Sequence, residues 1–197
     1  FLIFSFSADA EYFVINDYKV DMKVYGSEGV IDVHETITVD FSEPRRGIFR
    51  TIPYIYMVDG EEMEIKIYDV EVEGNKFSTS SQGRNYIIKI GDKNVYVEGI
   101  QTYHISYKIK KAFLFGDDHT EFYWNILGNE WPVEIKNISY TVQLDQAMPM
   151  SEGDYYIYTG IRGDTSRNAT ISYYIDKFQG ASTRAYAPYE GLTLAIN

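Results

Sequence analysis

Tyr18-Lys19-Val20-Asp21-Met22-Lys23-Val24-Tyr25-Gly26-Ser27-Glu28-Gly29-Val30-Ile31-Asp32-Val33-His34-Glu35-Thr36-Ile37-Thr38-Val39-Asp40-Phe41 is the stretch whose reading decides the fold. In its first half Val20, Met22 and Val24 alternate with Asp21, Lys23 and Tyr25. In its second half Ile31, Val33, Ile37, Val39 and Phe41 share one face, and Asp32, His34, Thr36, Thr38 and Asp40 share the other. A period of two belongs to a half-buried strand. Two such runs joined by Gly26-Ser27-Glu28-Gly29 predict an antiparallel hairpin. Glu35 breaks the pattern, because it falls on the apolar face, where an unpaired carboxylate costs several kcal/mol or takes up a proton. A cationic partner is therefore expected, and the proline-bracketed run from Pro44 to Pro53 offers Arg45, Arg46 and Arg50. That segment is read as a loop, and the pairing would dock it onto the sheet as a structural ion pair rather than furnish a catalytic acid.

Outward from this hairpin the same grammar repeats. Tyr103, Ile105, Tyr107 and Ile109 alternate with Thr102, His104, Ser106, Lys108 and Lys110. Ile138, Tyr140, Val142 and Leu144 predict another strand, as do Tyr155–Thr159, Ala169–Ile175 and the run from Leu192 to Ile196. The phase switch at Tyr68-Asp69, between Ile65, Ile67 and Val70, Val72, predicts a bulge or a strand end buried on both faces. Ser78-Thr79-Ser80-Ser81-Gln82-Gly83 is polar and Gly-terminated, and reads as an exposed hairpin loop. With 19 Tyr, 11 Phe and abundant Ile, Val and Thr, strand formers dominate the composition. The expected fold is all-β, an antiparallel β-sandwich of about nine or ten strands with an Ig-like or related two-sheet architecture. No repeat or linker divides residues 11–197, which are read as a single domain.

The net charge of −11 argues against nucleic acid as a partner, since the 18 basic residues are scattered among 29 acids. The same sign would be repelled by anionic lipid headgroups, so peripheral membrane binding through charge is disfavoured as well. Cysteine is absent, which removes disulfides, thiolate nucleophiles and Cys-based zinc sites. Residues 1–10, an apolar run ending in Ala8-Asp9-Ala10, read as the remnant of a secretory signal, with an N-terminal strand as the alternative.

Glu121-Phe122-Tyr123-Trp124-Asn125-Ile126-Leu127-Gly128-Asn129-Glu130-Trp131-Pro132-Val133 holds both tryptophans around a turn signal. Burial of Trp124, with Trp131 fixed by Pro132 at a sheet corner, would make it a packing centre, and Asn125 and Asn129 would satisfy backbone groups there. Together with Val33-His34-Glu35-Thr36-Ile37-Thr38, Arg46-Gly47-Ile48-Phe49-Arg50-Thr51-Ile52-Pro53 and Tyr103-His104-Ile105-Ser106-Tyr107, this run resembles the N-terminal extracytoplasmic domain of the YciQ-like predicted bacterial membrane proteins, a domain of unknown function. The resemblance spans residues 18–196 and implies a signal, this β-rich domain outside the cytoplasmic membrane, and spanning helices after Asn197. It brings no catalytic residues.

The residues themselves offer little chemistry. Asp117, Asp118, His119 and Glu121 are the densest metal-capable set and could hold Ca²⁺, but no Gly sits where a calcium loop needs one, and a polar turn is the simpler account. No cofactor is therefore expected. His34, His104 and His119 are far apart in sequence, and Arg162-Gly163-Asp164 is explained by a turn. Exposed tyrosines can stack on sugars or anchor a protein interface. The functional expectation is a non-catalytic interaction or sensing domain whose partner is a protein or a cell-wall component. A glycan-binding module using exposed Tyr is the first alternative, and a hydrolase using a carboxylate acid the second.

Overall fold

The structure is a computed structural model that describes residues 12–58, 61–112, 114–115 and 120–196. The leader predicted over residues 1–10 lies outside them. Among the described residues sixteen strands and no helix are present. In chain order the first eight are β1 (Phe13–Tyr25), β2 (Val30–Arg45), β3 (Ile48–Pro53), β4 (Ile55–Val58), β5 (Glu61–Glu64), β6 (Lys66–Val72), β7 (Phe77–Gln82) and β8 (Asn85–Ile90). The second eight are β9 (Val97–Lys110), β10 (Leu114–Phe115), β11 (Thr120–Leu127), β12 (Ile135–Leu144), β13 (Tyr155–Gly160), β14 (Ser172–Tyr174), β15 (Lys177–Ala181) and β16 (Gly191–Ile196).

The opening hairpin forms the centre of the largest sheet. Its seven strands run β14-β15-β12-β1-β2-β9-β6, with Val20 opposite Glu35 and Met22 opposite Val33 across β1 and β2. Every pairing in this sheet is antiparallel except that of β1 with β12, which is parallel. A parallel neighbour needs a crossover, and here everything from β2 to β11 provides it. A four-stranded sheet (β10-β11-β16-β13), a three-stranded sheet (β3-β8-β7) and the β4-β5 hairpin complete the fold.

The all-β reading agrees with this architecture; the strand count differs. Sixteen exceeds the nine or ten expected because short strands such as β4, β5 and β10 are too brief to show a period. The polar run read as a hairpin loop is β7, paired with β8 in unbroken register from Phe77 to Gln82. It buries neither face, every one of its residues being exposed, so there was no alternation to detect. The strand expected over 169–175 shrinks to β14 with an isolated bridge at Ala169. The phase switch at Tyr68-Asp69 is a bulge: the register with β9 shifts between Tyr68 and Glu71, and Asp69 takes a φ of 51°.

Apolar side chains from the inner face of the large sheet, Ile15, Tyr18, Ile37 and Tyr107 among them, share one core with Ile48, Ile52 and Ile88 of the three-stranded sheet and Trp124, Leu192 and Leu194 of the four-stranded sheet. Contacts cross the layers at both ends: Tyr155 of β13 meets Phe178 of β15 edge to face at 5.2 Å, and Arg50 of β3 reaches Glu35 of β2.

Where β3 begins, two chains cross at backbone distance. Gly47 and Gly91 have φ of 120° and 128°, and a Cβ on Gly47 would lie 1.9 Å from the Ile90 carbonyl oxygen, one on Gly91 1.8 Å from that of Arg46. Only glycine fits both the angle and the approach. Gly47→Ala is expected to cost about 3 kcal/mol or more, read as a lower urea midpoint at unchanged slope. An unaltered midpoint would show that the crossing is not tight in solution.

Candidate functional site

Glu35 is the starting point, because β2 carries it inward between Val33 and Ile37 with 1% exposure. Arg50 is its cationic partner. On β3 the period of two turns Ile48, Arg50 and Ile52 toward the core; Arg46 has the same parity, but it precedes Gly47, whose φ of 120° breaks the alternation before β3 begins. The pair is bidentate: Arg50 Nε donates to Glu35 Oε2 at 2.8 Å and Nη2 to Oε1 at 2.7 Å, while Nη1 donates to the Thr51 carbonyl at 2.7 Å. Two tyrosines complete the shell, Tyr18 of β1 donating to Oε2 at 2.9 Å and Tyr107 of β9 to Oε1 at 2.7 Å. Four strands thus meet on one carboxylate. Neither tyrosine was singled out from the sequence, although both are in phase with buried neighbours.

Burial pushes the Glu35 carboxyl up, but the Arg50 guanidinium, its hydrogen bonds and the two tyrosine hydroxyls outweigh it, and the group is held below its ordinary value. Burial raises the Tyr18 and Tyr107 phenols well above theirs, leaving both neutral donors. Burial disfavours the charged guanidinium, yet Glu35 more than compensates and keeps Arg50 ionised. Trp131, 3% exposed, closes the site edge-on against Tyr18 at 5.8 Å. Its indole N–H, buried without a completed hydrogen bond, faces the Tyr18 hydroxyl.

The other residues singled out from the sequence fall elsewhere. Arg46, expected beside the acid, is exposed on the far side of Gly47, bonded to the Tyr96 hydroxyl with its guanidinium 4.5 Å from that ring. Arg45 lies over Tyr12 at 3.7 Å. Trp124 is buried in β11 and Pro132 is exposed beside Trp131. Asn125 Oδ1 accepts from Thr193 Oγ1 at 2.6 Å, and Asn129 Nδ2 donates at 2.9 Å to the carbonyls of Gly160 and Tyr189. His34 and His104 lie on the outer face of the large sheet, His104 Nδ1 being 3.2 Å from Thr36 Oγ1. Asp117, Asp118 and His119, and the side chain of Glu121, lie outside the described residues; among those described, no group of three or more His, Asp or Glu could hold a metal ion.

These asparagines border a groove at this end of the fold. It has a volume of about 640 Å³ and lies between β11, β16 and β13 of the four-stranded sheet, the β4-β5 hairpin and the 160–164 turn. Asn125, Thr193 and Tyr158 stand abreast on β11, β16 and β13, with Asn129, Glu130 and Arg162 among the other lining residues. The hydrogen bond from Thr193 leaves the Asn125 amide donors uncommitted, and those made by Asn129 Nδ2 leave its Oδ1 so. Burial pushes Tyr56, on the hairpin side, up to about 12. Asp164 is held below the usual carboxylate range by the hydroxyl and N–H of Ser166. Tyr156 and Tyr158, two residues apart on β13, stack at 6.3 Å with 20° between their planes.

With this geometry in hand, the chain can be set beside known proteins. The family model described as the N-terminal domain of predicted membrane protein DUF2207 matches residues 14–197. The chain belongs to this family. It is 31% identical over 154 residues to the protein named Uncharacterized protein YciQ of Escherichia coli (strain K12), a match covering 73% of this chain and 24% of that protein. The chain thus spans about a quarter of the length of this curated relative. Among solved structures, native leukotriene A4 hydrolase from Saccharomyces cerevisiae superposes with a TM-score of 0.54 at 9% identity, over 95% of this chain and 30% of that one. The yeast enzyme in complex with bestatin gives 0.56 at 8% identity, over 94% and 29%. Identities this low show a shared fold alone. No helix among the described residues is long and apolar enough to cross a membrane.

Two outcomes follow for the DUF2207 domain. Glu35→Gln leaves a buried guanidinium short of its counter-charge and is expected to cost about 3 kcal/mol, whereas Glu35→Leu combined with Arg50→Met should cost less than the sum of the single changes; strict additivity in denaturant melts would show that the pair is not coupled. Because the folded Glu35 carboxyl lies below its ordinary 4.5, its contribution is complete above that pH and is lost as pH falls through the folded value. Wild-type stability should therefore drop more steeply below about pH 4.5 than that of Glu35→Gln, and parallel curves would contradict the assignment.

Proposed function

We propose that this is an extracytoplasmic recognition domain of a membrane protein, one that binds its ligand without transforming it. The groove carries this reading: amide and hydroxyl groups on Asn125, Asn129 and Tyr158 are held in place by β11, β13 and the turn after β11 while keeping hydrogen-bonding capacity to spare. Such a combination of a few fixed polar groups with apolar walls, here Ile55, Met63 and Trp124, is what small-ligand and chain-end sites use. Two features speak for binding over hydrolysis. Glu35 has both oxygens committed to Arg50, Tyr18 and Tyr107 inside the core, and Asp164 in the groove is stabilised as a carboxylate, not as a proton donor. The fold shared with yeast leukotriene A4 hydrolase adds nothing to this choice. A glycan is favoured as the ligand by one observation, the Tyr158 ring that lines the groove with the carboxamides and lies near-parallel to its neighbour Tyr156.

The test is retention of envelope components by the immobilised chain, compared with Asn125→Ala and Tyr158→Ala. A component held by the wild type and lost by both variants, with melting temperatures unchanged, is the expected result. Identical retention profiles would reject the groove. For the glycan, titration with cell-wall oligosaccharides should give saturable binding that weakens about tenfold or more in Tyr158→Ala, and no heat with any oligosaccharide would reject it.

A further inference from the structure

A chain of charge −11 has one corner with the opposite character. There, where β2 passes into β3 and the 91–96 loop leaves β8, Phe49 and Tyr96 are each 60% exposed and Val95 52%. Scattered single exposures need no explanation, but a cluster does. The corner is contiguous: Arg45 pairs with Val97, Gly47 crosses Gly91, and Phe49 faces Lys89 across β3 and β8. Residues 42–49 and 89–100 contain four cations, Arg45, Arg46, Lys89 and Lys93, against three acids. Of those acids Asp92 is already paired with Lys76 at 2.6 Å, Glu43 lies 3.8 Å from Arg45, and Glu98 is exposed on β9, on the outer face of the large sheet. The cations sit on the aromatic rings, Arg46 on Tyr96 at 4.5 Å, Lys89 over Phe49 at 5.9 Å and Arg45 over Tyr12 at 3.7 Å.

We propose that this corner is a lipid-docking surface, in which Phe49, Val95 and Tyr96 enter the headgroup region of a bilayer and Arg46 and Lys89 bind anionic phospholipid headgroups. Rings that are apolar in body and polar at the tip, ringed by long cationic side chains, are the chemistry of a membrane interface. The family's membrane character puts a bilayer within reach of the domain. The −11 total, which disfavours anionic lipid when spread over the surface, instead works as a selector: acidic faces are repelled, and only this corner is admitted. The inference is independent of the groove.

Co-sedimentation of the chain with phosphatidylcholine vesicles, with and without phosphatidylglycerol, tests it. Binding is expected to vesicles containing phosphatidylglycerol at low salt, with release at high salt. Arg46→Glu should weaken it about fivefold or more, and Phe49→Ser and Val95→Ser should each weaken it, while Tyr174→Ser, at a still more exposed aromatic residue on the opposite edge of the large sheet, should not. Circular dichroism melts of each variant establish that the fold is retained, as substitution of residues this exposed allows. No binding to either vesicle, or binding that Tyr174→Ser lowers as much as Phe49→Ser does, overturns the proposal. Capture of a protein at this corner without vesicle binding overturns it equally.

Discussion

The structure depends on one buried charge. Glu35 sits on the face of β2 that the large sheet turns inward, and a carboxylate there is tolerable only when its oxygens are filled by donors and its charge is met. Arg50 comes from a different sheet and the two tyrosines from the strands on either side of β2, so the requirement can be met only when both layers and three adjacent strands are in register. A slip of β2 by one residue would turn Glu35 outward and Thr36 inward, abandoning Arg50 in the core. The pair is thus better understood as a specification of the fold than as a source of net stability, which a well-packed apolar pair of the same volume would supply as well.

That constraint was legible in part. Glu35 shows in one dimension, because a period of two makes an acid among apolar residues conspicuous; the same period sets Arg45 aside but leaves Arg46 and Arg50 both in step with Ile48 and Ile52, and only the backbone of Gly47, with φ of 120°, separates them. Tyr18 and Tyr107 could not be assigned, since strand register is a property of the fold: Tyr107 reaches Glu35 only because β9 pairs with β2 so that Val33 faces Tyr107 and Glu35 faces Ile105. Strands with a long clean alternation, β1, β2, β9 and β12 among them, are legible in the sequence; β3, six residues between Gly47 and a closing proline, reads as a loop although it buries one face, and β7, which buries none, reads as a hairpin loop. The groove was invisible for a further reason. Its lining comes from the β3–β5 region, β11, β13, β16 and two turns, and segments so distant in sequence show no common pattern.

The three-stranded sheet separates the groove from the cationic corner. β8 starts at Asn85, which lines the groove, and ends at Ile90, beside the corner, its six residues spanning about 17 Å at the usual rise per residue. The Glu35 clamp holds this sheet against the large one through Arg50, midway along β3. A surface that rests on a bilayer and a groove that recognises a ligand would therefore be held at a fixed separation by the same ion pair, with the groove turned away from the lipid. This ordering also accounts for the distribution of charge. Acidic groups near the groove, Glu130 and Asp164 among them, sit more than a Debye length of about 8 Å from an anionic headgroup layer in that orientation, whereas the inverted orientation would press them against it.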